Sequence, residues 1–458
     1  MGAGMVGPSP PKKVLMIAFH YPPMRGSSGI QRTLKFSQYL PEWGWQPVLL
    51  SAHARAYSNP GNDQMGEIPA QVPVCRAFAL DTARHLAWRG RYAGLLALPD
   101  RWVSWVLGAV PAGLALIRRH RPQILWSTYP IATAHLIAYV LQRLTGLPWV
   151  ADLRDPMTDV GYPEKPLTRR VYLWIERRTV ERCTVAVCTT PGAVDTYRRR
   201  FPHLPADRFR LVENGYDEEN FRDAQQHGAM SPLAASAPPA PAAADHTDTG
   251  AGLQAAPPAP LVLLHSGVIY PSERDPVPLF EALAALRQQG LVGPATLRVV
   301  LRATGHDDFL SGLLVSHGLQ DMVTLAPHQP YRAALAEMLG VDALLILQAS
   351  NCNHQIPAKL YEYLRAGRPI LALTDASGDT AATLRAAGID TIAALDSRTD
   401  IMTTLVRFMA LVRAGAAPLA SAAAVASHSR HARSAALAQL LDDVAGATVV
   451  CKTGAATA

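Results

Sequence analysis

Two stretches of alternating strand and helix patterns, separated by a stretch of different composition, constrain this chain most. The first opens with the continuous apolar run Val14–Phe19, which is typical of a strand buried on both faces. Strand-like and helix-like segments then alternate up to about residue 213. Residues 225–260 are dominated by Ala and Pro and cannot build a core, and the alternation restarts at Leu261–Ser266. The sequence therefore predicts two α/β domains, each with a doubly wound parallel sheet.

The length of 458 residues suits two domains of ordinary size. Open parallel sheets bind ligands at the carboxyl edges of their strands, so we expect a cleft between two such edges. The predicted segments are a disordered N-terminus at 1–12, a Rossmann-like domain at 13–224, a disordered linker or insertion at 225–260, a second Rossmann-like domain at 261–400, C-terminal helices at 401–445 and a disordered tail at 446–458.

The charge balance points to an anionic partner. The chain has 43 Lys and Arg against 36 Asp and Glu, a net charge of +7, which suits nucleotides or phospholipids. A nucleic-acid partner would rest on net charge alone and is not predicted. The five cysteines are scattered without a CxxC pair, and the start of the chain does not resemble a secretory signal, so we expect reduced thiols, no zinc and a cytoplasmic protein.

The longest uncharged run, Val103–Ile117, raises the question of membrane contact. It contains Pro111 and falls short of the roughly 20 residues that a spanning helix needs. Basic residues flank it, so residues 101–121 could lie in a membrane interface at the inner face of the plasma membrane. The alternative, a helix buried on a sheet, is the one we favour.

The loop after the first strand is a candidate ligand site. Gly26 and Gly29 allow close backbone approach, and the next helix offers free N–H groups to a phosphate. The dinucleotide fingerprint GxGxxG is absent, which argues against a dehydrogenase. An ordinary structural turn is the alternative.

Three charged residues follow directly on the apolar strand near Trp149. Asp152, Arg154 and Asp155 stand at its carboxyl end, where packing does not require charge. They could bind sugar hydroxyls or orient an acceptor, and we favour such a role. A structural Arg–Asp pair that caps the following turn is the alternative.

The second domain carries the stronger signal. Gly267 and Arg274 follow its first strand and could approach a diphosphate. In the segment 357–369, Pro357 starts a short helix and Gly367 ends it. Lys359 and Glu362 are three residues apart and so share one helix face. We predict that Lys359 holds phosphate and that Glu362 accepts hydrogen bonds from ribose.

In these motifs the sequence resembles the GT-B glycosyltransferases of the family 4-like type, in particular bacterial envelope-polysaccharide enzymes. The matching segments occur in family order over about residues 13–375. They are VLMIAFHYPPMRGSSGIQRTLKFSQYLPEWGW, ADLRDPMTD, ENGYDEENF, the SGVIY and RDP parts of one loop, and PAKLYEYLRAGRPIL.

The resemblance implies hexosyl transfer from a nucleotide-diphosphate sugar to a lipid-linked or saccharide acceptor, with retention at the anomeric carbon, no cofactor and no metal. The C-terminal domain would bind the donor and the N-terminal domain the acceptor. The implied catalytic residues are Asp152, Arg154, Asp155, Arg274 and Lys359. We predict that the donor-binding residues are Gly26, Gly29, Gly267, Arg274, His354, Lys359, Leu360 and Glu362. The implied acceptor-side residues are His20, Arg25 and Arg32.

One position departs from the family pattern. Many relatives carry a second glutamate eight residues before the one that binds ribose, and His354 stands there in this chain. The usual role of that glutamate is therefore not transferred, and the sugar stays open. Two alternatives remain, a sugar-nucleotide epimerase of the same fold and a non-catalytic module that binds nucleotide sugar or a membrane surface.

Overall fold

A computed structural model describes residues 11–25, 28–62, 64–227 and 259–454. The chain divides into two compact units, Met1–Gly215 with Arg430–Ala458, and Tyr216–Ser429. Most of the predicted N-terminal segment, most of the predicted insertion at 225–260 and the last four residues of the predicted tail lie outside the described residues, as does Gly26.

The first unit contains a seven-stranded parallel sheet in the order β3-β2-β1-β4-β5-β6-β7. Its strands are β1 Lys12–Ile17, β2 Trp45–Ala52, β3 Val74–Ala77, β4 Ile124–Thr128, β5 Trp149–Arg154, β6 Val185–Cys188 and β7 Phe209–Leu211. Its helices before β7 are α1 Ser28–Tyr39, α2 Thr82–His85, α3 Trp105–His120, α4 Ala132–Thr145, α5 Pro166–Arg182 and α6 Pro191–Arg200. The central strands are apolar and buried over Val14–Ile17 of β1 and Ile124–Trp126 of β4, as expected for strands covered on both faces.

The second unit contains a six-stranded parallel sheet in the order β10-β9-β8-β11-β12-β13. Its strands are β8 Leu261–Ser266, β9 Leu297–Arg302, β10 Val323–Ala326, β11 Ala343–Leu347, β12 Ile370–Leu373 and β13 Ile392–Ala393. Its helices are α7 Glu218–His227, α8 Val277–Gln288, α9 Asp307–His317, α10 Tyr331–Gly340, α11 Lys359–Ala366, α12 Asp379–Ala386, α13 Arg398–Arg413 and α14 Ala422–Ser427. The predicted fold, two α/β domains with parallel sheets, is confirmed.

The last helix, α15 Arg430–Gly454, belongs to the first unit although it follows the second in sequence. Leu437 and Leu441 pack into the core layer that contains Val14 and Trp45. The indole N–H of Trp45 also donates to Asp442 at 2.8 Å. The chain therefore returns to the first sheet, and the division between the units lies at residues 215 and 429 in place of the sequence-derived boundaries at 224 and 261.

The predicted membrane-interface segment 101–121 is mostly a packed helix. Trp105 and Ala109 of α3 are fully buried in the core of the first unit, and its Val106, Val110 and Leu114 pack against that core. This packing agrees with the favoured interpretation, a helix lying on a sheet. Within the described ranges, no helix is long and apolar enough to cross a membrane.

Both sheets reverse their strand order at one place. The reversal falls between β1 and β4 in the first sheet and between β8 and β11 in the second. Open α/β sheets bind ligands at such switch points, beyond the carboxyl ends of the strands. Gly267 and Arg274 follow β8, and Lys359 and Glu362 follow β11, whereas Asp152 and Arg154 lie in β5.

Candidate functional site

The short helix α11 sets the position of the strongest candidate site. It begins at Lys359 and ends before Gly367, whose φ of 64° is left-handed and closes the helix as predicted. Leu360, Tyr361 and Tyr363 are fully buried and anchor the helix to the core of the second unit. Lys359 is consequently held in the first helical turn, beside the switch point of the second sheet.

The Lys359 amine lies against the end of β8. Its Nζ atom is 3.0 Å from Nε2 of His265. Gly267 has a φ of 120°, and a Cβ atom there would come within 2.9 Å of the same Nζ. Burial, and then the charge of Arg274, lower the pKa of Lys359 well below its ordinary value, while Glu362 opposes the shift. The amine is therefore a desolvated donor that an anionic ligand would stabilise.

His265 fixes this amine and was missed by the sequence analysis. Its ring is fully buried and contacts the Leu345 carbonyl through Nδ1 at 3.0 Å. Burial, and then the charge of Lys359, lower the pKa of His265 well below its ordinary value, so the ring is neutral. With its proton on Nδ1, Nε2 accepts a hydrogen bond from Lys359. A polar residue inside the buried run LVLLHS was the signal that could have identified it.

Arg274 supplies a second positive charge at the same site. Its guanidinium donates to the carbonyl of Val268 and lies 5.4 Å from the ring centre of Tyr270. Its charge lowers the pKa of both Lys359 and His265. Lys359 and Arg274 thus bring two cationic groups to one site, with the Glu362 carboxylate near Lys359, and such a site suits a polyanion.

Glu362 lies one turn further along α11. Its carboxylate accepts a hydrogen bond from the Tyr331 hydroxyl at 2.7 Å. The neighbouring Tyr363 hydroxyl accepts from the backbone N–H of Ser266 at 2.9 Å, which ties α11 to the end of β8. The structure thus brings Gly267, Arg274, Lys359 and Glu362 together at one sheet edge, as the sequence predicted.

Leu360 and His354 differ from this group. The Leu360 side chain is 0% exposed inside the core and supports the helix, so its donor-binding role, which stays a prediction, would fall to its backbone. His354 is partly buried in the loop before α11. The preceding residue fixes this loop, because Asn353 donates to Asp375 at 2.8 Å and accepts at its carbonyl from the N–H of Asp379.

In the first unit, Asp152 is occupied by a buried ion pair. Its carboxylate accepts from Nε and Nη2 of Arg32 at 2.9 and 2.8 Å and from the Thr128 hydroxyl at 2.8 Å. Asp152 and Arg32 are 0% and 2% exposed. The guanidinium also donates to the carbonyls of Val212 and Glu213. This geometry favours a structural role for Asp152 with Arg32 as its partner, which is a different pair from the turn-capping one that the sequence offered as the alternative.

Arg154 and Asp155 are half-buried at the end of β5, and His20 is buried in the loop after β1. A bulge between Asp152 and Arg154 places Arg154 at a φ of 62°. Burial lowers the pKa of Arg154, and within the described part of the chain its Nε has no hydrogen-bond partner. Burial, and then the charge of Arg154, lower the pKa of His20 to about 3, so this imidazole is neutral.

The loop glycines give a mixed result. Gly29 is buried at the start of α1, and its carbonyl accepts from the Thr33 hydroxyl. Arg25 is exposed, and its side chain lies directly against Gly61. The predicted role of Gly26 lies outside the described residues.

The comparisons with known proteins agree with this architecture. Residues 29–215 match the family described as "Glycosyl transferase 4-like domain". No curated protein matches the sequence. Among solved structures, a trehalose 6-phosphate synthase from Burkholderia multivorans is similar with a TM-score of 0.64 and 12% identity, over 96% of this chain and 98% of that one.

Two further structures are similar to the chain. Sucrose-phosphate synthase from Thermosynechococcus elongatus gives a TM-score of 0.63 and 14% identity, over 95% of this chain and 100% of that one. HepE from Anabaena in complex with UDP-glucose gives 0.59 and 12%, over 94% and 99%. At these identities the likeness concerns the fold. The chain therefore has the GT-B fold, and its residues 29–215 match the glycosyl transferase 4-like family.

Proposed function

We propose that this protein transfers a hexose from a nucleotide-diphosphate sugar, bound in the second unit, to a lipid-linked or saccharide acceptor. The observation that carries the proposal is the desolvated Lys359 amine. It lies against Gly267 and is affected by the charge of Arg274, and Glu362 follows one helical turn later. Two cations and a glycine suit a diphosphate, and a carboxylate suits the ribose hydroxyls. The UDP-glucose held by HepE makes UDP the first nucleotide to test.

Each residue then has a distinct role in the reaction. The bond between the anomeric carbon and the diphosphate breaks, and negative charge grows on the leaving phosphate. Lys359 and Arg274 stabilise that charge because they are already oriented and partly desolvated. In a retaining route on one face of the sugar, the acceptor oxygen bonds to the anomeric carbon and its proton passes to the leaving phosphate.

In the first unit, Arg154 and Asp155 are better placed than Asp152 to meet an acceptor. Asp152 is enclosed by Arg32 and Thr128, whereas Arg154 keeps an N–H without a partner in the described residues. An Arg donor suits the phosphate of a lipid-linked acceptor. His20, which stays neutral, could accept a hydrogen bond from an acceptor hydroxyl.

A panel of nucleotide sugars tests the proposal. We expect one donor to raise the melting temperature of the full chain, because a ligand that binds only the folded state stabilises it by mass action. The same donor should release its nucleoside diphosphate when acceptor is added, and slowly to water without acceptor. An epimerised donor without nucleotide release would indicate the epimerase alternative, and stabilisation without any turnover would indicate a binding module.

Binding of the diphosphate should take up a proton. The pKa of Lys359 is lowered in the free site, and a bound polyanion raises it again, so the complex holds more protons than the free protein. Affinity for UDP should therefore fall as the pH rises through the pKa of the free amine. Calorimetry in buffers of different ionisation enthalpy measures the number of protons taken up when UDP binds. The measurement starts at about pH 7.5, because the phosphate of UDP, with a second pKa near 6, is already ionised there. A pH-independent affinity, with no proton exchanged, would contradict the prediction.

A further inference from the structure

The segment 84–96, here called the 84–96 loop, begins in the last residues of α2 and runs towards α3, and it presents large apolar side chains to solvent. In the 84–96 loop, Trp88 is 79% and Leu95 is 73% exposed. Three more side chains in the same loop are between 42% and 48% exposed. They are Leu86, Tyr92 and Leu96. Isolated exposed apolar residues are ordinary, but five within one short loop form a patch that marks an interaction surface.

The tip of this loop is a defined turn. Trp88 and Arg91 exchange backbone hydrogen bonds at 2.7 and 3.0 Å. Arg89 and Gly90 between them have φ angles of 51° and 76°, the pair of positive values that a type I′ hairpin turn needs. The indole of Trp88 is therefore displayed at the end of a tight hairpin.

The base of the loop is tied to the first unit. The N–H of Thr82 donates to the carbonyl of Arg101 at 2.8 Å, and its hydroxyl donates to the carbonyl of Leu96 at 2.7 Å. Asp100, just before this closure, accepts from the backbone N–H of Thr133 on α4 at 2.9 Å. Hydrogen bonds on either side of the exposed apolar residues thus hold the 84–96 loop to the first unit.

The charge of the loop selects the kind of partner. Its exposed surface carries Arg84, Arg89 and Arg91, and residues 82–99 contain no Asp or Glu. Arginine beside exposed Trp, Tyr and Leu is the composition that binds a lipid interface, where the apolar groups enter the headgroup boundary and the cations meet anionic lipids. Arg89 lies inside the turn that begins at Trp88, and Arg91 is the last residue of that turn.

We propose that the 84–96 loop docks the protein on an anionic membrane surface, with Trp88 and Leu95 inserted and Arg89 and Arg91 on the lipid headgroups. This surface is distinct from the helix α3, which the sequence offered as a possible membrane-interface segment, because α3 packs apolar side chains against the core of the first unit. The proposal does not depend on the donor site.

Vesicle flotation of the full chain tests the proposal. The wild type should float with vesicles of phosphatidylglycerol and phosphatidylcholine and much less with phosphatidylcholine alone, and added salt should weaken the binding. The double variant Trp88→Ala with Leu95→Ala should bind about tenfold more weakly, and so should Arg89→Gln with Arg91→Gln.

A matched control removes exposed apolar residues elsewhere. Leu291→Ala with Val315→Ala changes side chains that are 51% and 63% exposed in the second unit and should leave flotation unchanged. All variants should keep the melting temperature and the stabilisation by nucleotide of the wild type. The proposal is overturned if the wild type does not float or if the loop variants float equally well. It is also overturned if those variants instead convert a dimer to a monomer in sedimentation, which would assign the loop to a second copy of the chain.

Discussion

Replacing Lys359 by Ala should lower donor turnover by about 10²–10³-fold, the usual cost of removing one preorganised donor to a developing oxyanion. The Lys359 amine lies 3.0 Å from Nε2 of His265 and beside Gly267, so it is already positioned at the end of β8. Its burial makes it an unusually strong partner for phosphate, because little water must be displaced when the anion binds. The measurement is release of nucleoside diphosphate from the donor that stabilises the wild type.

The fold of this variant should remain intact. Removing a desolvated amine relieves an unfavourable burial, while the Nε2 atom of His265 loses its donor at a cost of about 1–3 kcal/mol. Lys165→Ala, which removes an exposed lysine of the first unit, serves as the matched control and should keep full turnover. If Lys359→Ala turns over donor within tenfold of the wild type, the assignment of this site is incorrect.

The second large effect concerns stability. Asp152→Ala should reduce the free energy of unfolding by about 3–5 kcal/mol, because it leaves the buried charge of Arg32 without its partner. For a unit of this size the melting temperature should fall by about 10 °C. Arg32 of α1 contacts β5 and the segment after β7, so losing its partner weakens contacts among three elements of the first unit. Thermal and urea unfolding measure it.

Two variants separate this buried pair from an ordinary ion pair. Asp195→Ala removes an exposed helical partner of Arg198 and should change stability by less than about 0.5 kcal/mol. The double variant Arg32→Met with Asp152→Leu removes both charges and should recover part of the lost stability. If Asp152→Ala were as stable as the wild type but inactive, the catalytic role predicted from the sequence would stand and the structural one would fall.

The sequence located the donor-site helix well for physical reasons. Pro357 and Gly367 mark helix ends through backbone restrictions that act locally, so the pattern predicted a helix that the structure places at Lys359–Ala366. The run at Leu261–Ser266 is apolar enough to define a strand and is confirmed with these bounds, and the apolar run at Ala343–Leu347 forms a strand as well. Gly267 and Lys359 follow the carboxyl ends of these two strands, so they meet at one edge of the sheet.

Other features depend on contacts that no local pattern encodes. Arg32 and Asp152 are separated by 120 residues, so their pairing could not be read from either neighbourhood. His265 lies in a strand that is buried on both faces, which hides the direction of each side chain. The strand β3 was missed because it is four residues long and only partly buried. The exposure of Trp88 needed the turn geometry of the 84–96 loop.

An experimental structure of the protein with UDP, or with whichever nucleoside diphosphate stabilises it most, tests the central claim most directly. The account predicts phosphate oxygens within about 3 Å of Lys359 Nζ and of the Arg274 guanidinium, over the backbone of Gly267, with the ribose hydroxyls on Glu362. A nucleotide bound away from α11, with Lys359 still hydrogen-bonded only to His265, would contradict it.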